Sequence, residues 1–174
     1  MTYKNGTIVL IGNRKWGSWL SNLVTGFIVK ATKSNKIHIK RYLDGYWYES
    51  SYPKGAGKTT ETFVTNEFNL VREPITPFTN DEVIKMVAFA EESIVSKMKY
   101  NLIKLILLYV ILPTRKFWEC IHWVPFSNNK AFGTVCSVFD AEMVRKSGRI
   151  EFNGDDPEMR TPGDYERSTE YRDI

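Results

Sequence analysis

Alternating apolar and polar residues predict a β-hairpin in the first third of the chain. Ile37–Leu43 and Tyr46–Ser50 are rich in β-branched and aromatic residues, which favour strands. Between them lies Asp44-Gly45, a dipeptide that suits a two-residue turn with positive φ at both positions. Ahead of the hairpin, Thr7–Ile11 is a short apolar run that ends at a glycine and predicts another strand.

Apolar residues spaced three and four apart predict helices elsewhere in the chain. The predicted helices are Trp16–Ile28, Asp81–Lys99, Leu102–Leu112 and Cys136–Ser147, the last closed by Gly148. In the second of them, one apolar stripe is predicted to comprise Ile84, Val87, Ala90, Ile94 and Met98. A further strand is predicted within Phe63–Val71, before a proline-containing loop.

These elements predict one α+β domain in which an antiparallel sheet packs against helices, one of them beginning at Cys136. A length of 174 residues with 43% hydrophobic residues fits a single buried core. We assign residues 1–150 to the domain body and residues 151–174 to an acidic extension, packed on the body or trailing from it. The extension contains Pro157 and Pro162 and has no apolar periodicity.

Charge is divided unevenly between these two parts. Residues 151–174 carry eight acidic residues and three arginines, a net charge of −5. Because the whole chain has a formal net charge of +4, residues 1–150 carry +9. A basic body can attract phosphate, an anionic membrane surface or an acidic substrate, although scattered lysines on a solvated surface are the commoner explanation. No nucleic-acid-binding motif accompanies the charge, so we expect no nucleic-acid partner.

The sequence also bears on location and cofactors. Met1–Leu10 lacks the basic start and long apolar run of a secretory signal, and Leu102–Leu112 is shorter than the roughly 20 residues of a membrane span. We therefore expect a cytoplasmic protein, with peripheral membrane contact and a viral or phage origin left open. The chain has two cysteines and no clustered Cys/His spacing, so we expect no metal and no cofactor.

A segment resembling a phosphate-binding loop is rejected on two grounds. Gly55-Ala56-Gly57-Lys58-Thr59 ends like the motif, but Tyr52 occupies the position of its first glycine. The residues that follow are not helical in pattern, so no helix N-terminus would face a phosphate. We interpret this segment as a glycine-rich connection after the hairpin.

With two cysteines and two histidines, each thiol and imidazole pair can be considered in turn. Cys120 and His122 lie among tryptophan and isoleucine residues, where a buried structural thiol is the simpler explanation. Cys136 begins a predicted helix, where the helix dipole and the free amides favour a thiolate and can bind an oxyanion. Considered alone, Cys136 is better explained as a small buried residue at a helix start.

The predicted hairpin brings a carboxylate towards the other histidine. With Asp44 and Gly45 in the turn, His38, Lys40 and Glu49 share one face, and Glu49 is a diagonal neighbour of His38 at roughly 7 Å. Glu49 could orient the imidazole, as a third residue does behind a nucleophile and its base. A Lys40–Glu49 ion pair beside a surface histidine fits the same geometry equally well.

Five segments follow one another in a recognisable order: Gly6–Leu10, His38–Gly45, Trp47–Ser50, Val135–Glu142 and Thr161–Asp164. Together they resemble the circularly permuted NlpC-type family of papain-like cysteine hydrolases, which includes the YiiX-like proteins. The resemblance touches most of residues 6–168 and places the histidine before the cysteine in the chain, as the permuted family does.

This resemblance implies a permuted papain-like fold in which Cys136 is the nucleophile, His38 the general base and Glu49 the third polar residue. It implies a thiol hydrolase that cleaves a peptide, peptidoglycan-type amide or lipid acyl bond through an acyl-enzyme. Two alternatives stay open: a phospholipase or lipid acyltransferase of the same fold, and a binding module that retains the fold without turnover.

Overall fold

A single antiparallel sheet organises the chain. The structure is a computed structural model that describes residues 3–12, 25–26, 29–30, 32–101, 135–152 and 160–174. Its six strands are β1 Ile8–Gly12, β2 Lys36–Leu43, β3 Tyr46–Ser51, β4 Gly55–Thr59, β5 Asn69–Pro74 and β6 Tyr171–Asp173. Their order across the sheet is β4-β3-β2-β1-β5-β6, so β1 and β2 lie at its centre.

Three helices belong to the described residues: α1 Asn80–Val95, α2 Cys136–Ser147 and α3 Pro162–Arg167. One face of the sheet packs against α1 and α2 through a core that contains Leu43, Tyr48, Met86 and Phe139. The α+β class with an antiparallel sheet packed against helices is therefore confirmed.

The opposite face of the sheet carries an aromatic cluster. Trp47 is fully buried there, and Tyr3, Tyr42 and Phe63 surround its ring at centroid distances of 4.9 to 5.3 Å. Because successive residues of a strand point to opposite faces, β2 and β3 contribute side chains to both layers. Trp47 and its aromatic neighbours therefore form a second layer on the face opposite α1 and α2.

The predicted hairpin is confirmed. Asp44 and Gly45 form its turn with φ values of 46° and 89°, the positive angles that the dipeptide was expected to adopt. The register pairs Leu43 with Tyr46 and Tyr42 with Trp47. The predicted first strand is also present as β1, shifted by one residue towards its C-terminal side.

Helix α1 forms where predicted, but it is shorter, and its buried face is shifted relative to the predicted stripe. A capping box between Thr79 and Glu82 begins the helix, which ends at Val95 rather than at Lys99, because Lys97 adopts a φ of 53°. The buried stripe is Val83, Met86, Ala90 and Ser93, whereas Ile84 is 66% exposed. Ala90 belongs to the predicted stripe, and its members Val87, Ile94 and Met98 pack partly buried against the same core. Ile84 alone was placed wrongly.

The strand predicted within Phe63–Val71 begins late. Strand β5 starts at Asn69 because the Asn66 side chain accepts hydrogen bonds from the backbone N–H groups of Phe68 and Asn69, closing a turn before it. Phe63 lies before this turn and packs edge-on against Trp47. The predicted start of the strand was wrong because the turn formed by the Asn66 side chain was not recognised from the sequence.

The interpretation of residues 55–59 as a connection was also wrong, since they form strand β4 and pair with β3. Gly55 has a φ of 83°, and a Cβ placed on it would lie 2.1 Å from the Met98 carbonyl oxygen. The glycine therefore serves a close backbone approach within a strand. No phosphate-binding loop forms there.

Residues 160–174 of the acidic extension pack closely onto the domain. Strand β6 pairs with β5, and Tyr165 and Tyr171 are buried with Ile8 and Leu10. The Arg72 guanidinium donates hydrogen bonds to the carbonyl groups of Tyr165, Glu166, Ser168 and Tyr171. A single arginine of β5 thereby fixes the turn between α3 and β6.

Helix α2 is confirmed with its predicted bounds and its glycine end, Gly148, at a φ of 89°. The predicted helix Leu102–Leu112 lies outside the described residues, as do Cys120 and His122. Most of the predicted helix Trp16–Ile28 also lies outside the described residues. Residues 25 and 26 of this range are described, and both are helical. Within the described ranges, no helix combines the length and apolarity needed to cross a membrane.

Candidate active site

Helix α2 places Cys136 against the beginning of β2. Its side chain is buried with Ile39 and Leu10, and its Sγ lies 3.9 Å from the carbonyl oxygen of Ile37, the residue before His38. The thiol is thus held at the first turn of a helix and at the strand that carries the imidazole. No other cysteine belongs to the described residues.

The imidazole of His38 contacts the carboxylate of Glu49 across the hairpin. His38 Nε2 and Glu49 Oε2 lie 2.5 Å apart, with 19% and 14% of the two side chains exposed. This contact matches the diagonal neighbour relation expected from the turn. Because Glu49 occupies Nε2, Nδ1 is the ring nitrogen available to Cys136.

The protonated form of His38 is strongly favoured. Burial lowers the pKa of His38, but charge attraction and a hydrogen bond from Cys136, followed by those from Glu49, raise it to about 9. The neighbouring acidic groups of Cys136 and Glu49 favour the charged imidazolium, which explains this direction. His38 is therefore placed to act with both Cys136 and Glu49.

Glu49 divides its two oxygens between two cations. Oε2 contacts His38, while Oε1 lies 3.3 Å from Lys40 Nζ, and Lys40 in turn lies 3.1 Å from Glu61 Oε2. Burial raises the pKa of Glu49, but the hydrogen bond and charge of His38, together with Lys40, lower it overall. The two interpretations left open by the sequence, an oriented imidazole and a Lys40–Glu49 ion pair, coexist in one structure.

The first turn of α2 supplies hydrogen-bond donors beside the thiol. Residue Val135 caps the helix in an extended conformation, without a side-chain hydrogen bond to the first turn. The first amides of an α-helix have no acceptor within the helix, and the dipole concentrates positive potential there. Backbone N–H groups at this end can bind the oxygen of a carbonyl under attack.

The extension borders the same turn of α2. Ser137, next to Cys136, donates a hydrogen bond from Oγ to the Arg160 carbonyl oxygen at 2.6 Å. On the strand side, the Ser34 hydroxyl donates to Glu166 Oε2 at 2.6 Å. Sequence reasoning did not link these residues to the site, because the contacts join segments 23 and 132 residues apart in the chain.

A groove of about 470 Å³ lies at the hairpin-turn end of the sheet, between Tyr3, Asp44 and Phe78. His38 precedes the turn by six residues of β2, roughly 20 Å along an extended strand. The groove is therefore separate from the thiol and imidazole. In the described part of the chain, no cluster of three or more Cys, His, Asp or Glu side chains could hold a metal ion.

The geometry brings Cys136, His38 and Glu49 together, and Lys40 joins them through the ion pair with Glu49 that the sequence had left open. Comparisons with protein-family models, with curated proteins and with solved structures found no match.

Proposed function

We propose that the protein is a thiol hydrolase of permuted papain-like fold, with Cys136 as nucleophile, His38 as acid and base, and Glu49 as the residue that orients His38. The observation that carries this proposal is the chain of interactions from Cys136 through His38 to Glu49, with the thiol at the start of a helix. Its substrate would be an amide or ester of a peptide, a peptidoglycan fragment or a lipid acyl group.

In the first half-reaction, the Cys136 thiolate attacks the carbonyl carbon and forms an S–C bond, and the α2 amides hold the oxyanion. The imidazolium of His38 gives its proton to the leaving nitrogen or oxygen as the scissile bond breaks. The product of this step is a thioester on Cys136. Glu49 keeps the ring oriented throughout.

In the second half-reaction, neutral His38 takes a proton from water, which attacks the thioester carbonyl. Collapse of the tetrahedral intermediate releases the carboxylic acid and restores the thiolate and imidazolium. An alcohol or amine in place of water would give acyl transfer instead, so product analysis distinguishes hydrolysis from transfer.

The decisive experiment is acylation by p-nitrophenyl acetate, followed by mass spectrometry of the intact protein and its peptides. We expect one acetyl group on Cys136 of the wild-type protein and none at that position in Cys136→Ala. Cys120→Ala is the matched cysteine control and should retain the adduct. Unaltered acylation of Cys136→Ala, or a wild-type thiol that reacts no faster than free cysteine, would reject the proposal in favour of a module without turnover.

A further inference from the structure

At one end of the sheet, the turn between β3 and β4 meets the residues that follow α1. The Ala56 amide donates a hydrogen bond of 3.0 Å to the Met98 carbonyl oxygen, and Gly55 leaves room for the same oxygen. The ring centroids of Tyr52 and Tyr100 lie 6.1 Å apart, with the two rings edge to face. These contacts join the turn and the end of the helix into one surface.

This turn–helix surface comprises three lysines, one tyrosine and one valine: Lys54, Lys97, Lys99, Tyr52 and Val95. All five side chains are exposed, and the exposed fractions of Tyr52 and Val95 are 64% and 80%. None of the three lysines pairs with a carboxylate of the described residues, whereas Lys58 of β4 and Lys85 of α1 each pair with one. The surface therefore carries cations that the fold itself does not use.

The acidic residues of the neighbouring turn of α1 do not cancel this charge. Glu91 is already committed to the Lys58 ammonium and the Tyr48 hydroxyl. Glu92 is exposed, and three lysines against this one carboxylate leave a net charge of +2. The turn–helix surface is thus complementary to an anionic partner.

The uncharged members of the surface favour a lipid bilayer as that partner. Tyrosine, with an apolar ring and a polar hydroxyl, concentrates at the headgroup level of membranes, and lysines near the bilayer attract anionic lipids. Single-stranded nucleic acids instead bind by stacking bases on flat rings, and the aliphatic Val95 offers no such face. We propose that the turn–helix surface docks the protein on a bilayer that contains anionic phospholipids.

The turn–helix surface lies at the same end of the sheet as the proposed active site. Strand β3 ends at Ser51, two residues after Glu49, and Tyr52 follows. Tyr52 lies within roughly 10 Å of Glu49 along the chain, and Glu49 contacts His38. Docking therefore turns the end of the sheet that carries His38 towards the lipid. Binding of this kind goes beyond the proposed function, because it does not require Cys136 to be catalytic.

The test is sedimentation of the full chain with vesicles of phosphatidylcholine, either alone or mixed in equal parts with phosphatidylglycerol. Each lysine near an anionic bilayer contributes about fivefold to the partition coefficient, so we expect roughly a hundredfold stronger binding to the mixed vesicles. The difference should shrink as added salt shortens the Debye length. Equal binding to both kinds of vesicle, or none to either, would overturn the proposal.

Lysine variants locate the charge that binds. Lys99→Gln should lower the partition coefficient about fivefold, and its combination with Lys54→Gln should lower it about 25-fold. Lys146→Gln is the matched control, because Lys146 is also an exposed lysine but lies in the last turn of α2. Its effect should stay within about twofold. Equal losses in Lys99→Gln and Lys146→Gln would show that net charge alone drives binding and would overturn the assignment to this surface.

Tyrosine variants test the contribution of the ring. Tyr52→Ser should weaken binding to the mixed vesicles at physiological salt, where the charge contribution is partly screened. Tyr46→Ser is its control, because Tyr46 is 40% exposed beside the hairpin turn, at the opposite end of β3. A Tyr52→Ser variant that binds as the wild-type protein does would overturn the part of the tyrosine in docking.

Competition separates a bilayer from other anions. Neither glycerol 3-phosphate nor a single-stranded oligonucleotide, at the phosphate concentration of the vesicles, should displace the bound protein. Displacement by the oligonucleotide would overturn the bilayer in favour of a nucleic acid, and displacement by glycerol 3-phosphate would overturn it in favour of a free phosphate. Cys136→Ala should bind the mixed vesicles as the wild-type protein does. Docking and hydrolysis can therefore fail independently.

Discussion

Two neighbouring residues of β2, Lys40 and Arg41, anchor two ionic clusters on opposite faces of the sheet. The site cluster comprises His38, Lys40, Glu49 and Glu61, and the core cluster comprises Arg41, Asp140, Glu151 and Tyr171. Both bury cations beside carboxylates. They differ in what lies around them and therefore in what their charges can do.

The core cluster is closed. Arg41 is fully buried, and its Nε and Nη2 each donate a hydrogen bond of 2.7 Å to one oxygen of Asp140. Tyr171 receives a third hydrogen bond from Arg41 and donates one to Glu151. Burial raises the pKa of Glu151 despite the lowering effect of Arg41. All three nitrogens of the Arg41 guanidinium thus donate hydrogen bonds within the protein.

The site cluster is partly open, since 19% of the His38 side chain and 55% of the Glu61 side chain are exposed. The two clusters are nevertheless connected by the chain. Asp140 lies one helical turn after Cys136, and Arg41 lies three residues after His38. The closed cluster therefore joins the helix and the strand that carry the proposed nucleophile and base, and it holds them in register.

Breaking the core cluster should give the largest effect on stability. Arg41→Met leaves the Asp140 carboxylate buried without its counter-charge, and we expect a loss of about 3 to 5 kcal/mol in the free energy of unfolding. Urea unfolding measures it. Arg41→Met combined with Asp140→Leu should recover much of the loss, because both charges are then absent. A single variant as stable as the wild-type protein would show that the cluster does not hold the two elements together.

Removing the imidazole from the site cluster should affect the reaction more than the fold. In His38→Gln, the rate of Cys136 acylation should fall by about 10² to 10⁴, the usual contribution of general acid–base catalysis. The free energy of unfolding should change less than in Arg41→Met, because Lys40 still neutralises Glu49. Stopped-flow acylation and urea unfolding give the two values. A variant that loses stability without losing reactivity would reverse the roles of the two clusters.

Local chemistry explains which parts of this arrangement the sequence predicted. The positive φ values of Asp44 and Gly45 fix the hairpin register, and that register alone brings Glu49 to His38. The approach of Cys136 to the same strand is a contact across 99 residues, and it was inferred from a family resemblance rather than from periodicity. Local patterns specify elements and turns, but not which elements meet.

The incorrect and missing sequence predictions have the same origin, because each depends on which elements meet in the fold. Ile84 of α1 was wrongly placed in the buried stripe because it satisfies the helical period as well as Val83 does, and only tertiary packing chooses between them. Strand β6 was not predicted because three residues, of which Tyr171 alone is buried, are too few to show alternation. The core cluster went unnoticed because Arg41 and Asp140 look like surface charges until β2 and α2 are brought together.

Titration of His38 should make both the stability and the reactivity that depend on the site cluster change with pH. Because its folded pKa is about 9 and its unfolded value is about 6.5, the stabilisation from its charged form is complete below pH 6.5 and is lost as the pH rises through 9. With an amide or alkyl ester substrate, the acylation rate should fall above the same pH, when the imidazolium no longer protonates the leaving group. Glu49→Gln should move this fall to lower pH. A rate that stays constant from about pH 8 to pH 10 would contradict the ion pair.

Replacing Lys40 should give the smallest change, because this residue acts on the reaction through Glu49. Without the ammonium at Oε1, the Glu49 carboxylate can rotate away from His38, and we expect about a tenfold lower acylation rate in Lys40→Met. Lys40→Arg should restore most of it, while Lys58→Met should leave it unchanged. Since Lys40 also lies 5.1 Å from the Phe63 ring centroid, stability is measured in parallel to separate packing from orientation. Equal losses in the arginine and methionine variants would assign Lys40 a packing role and leave Cys136, His38 and Glu49 as the functional residues.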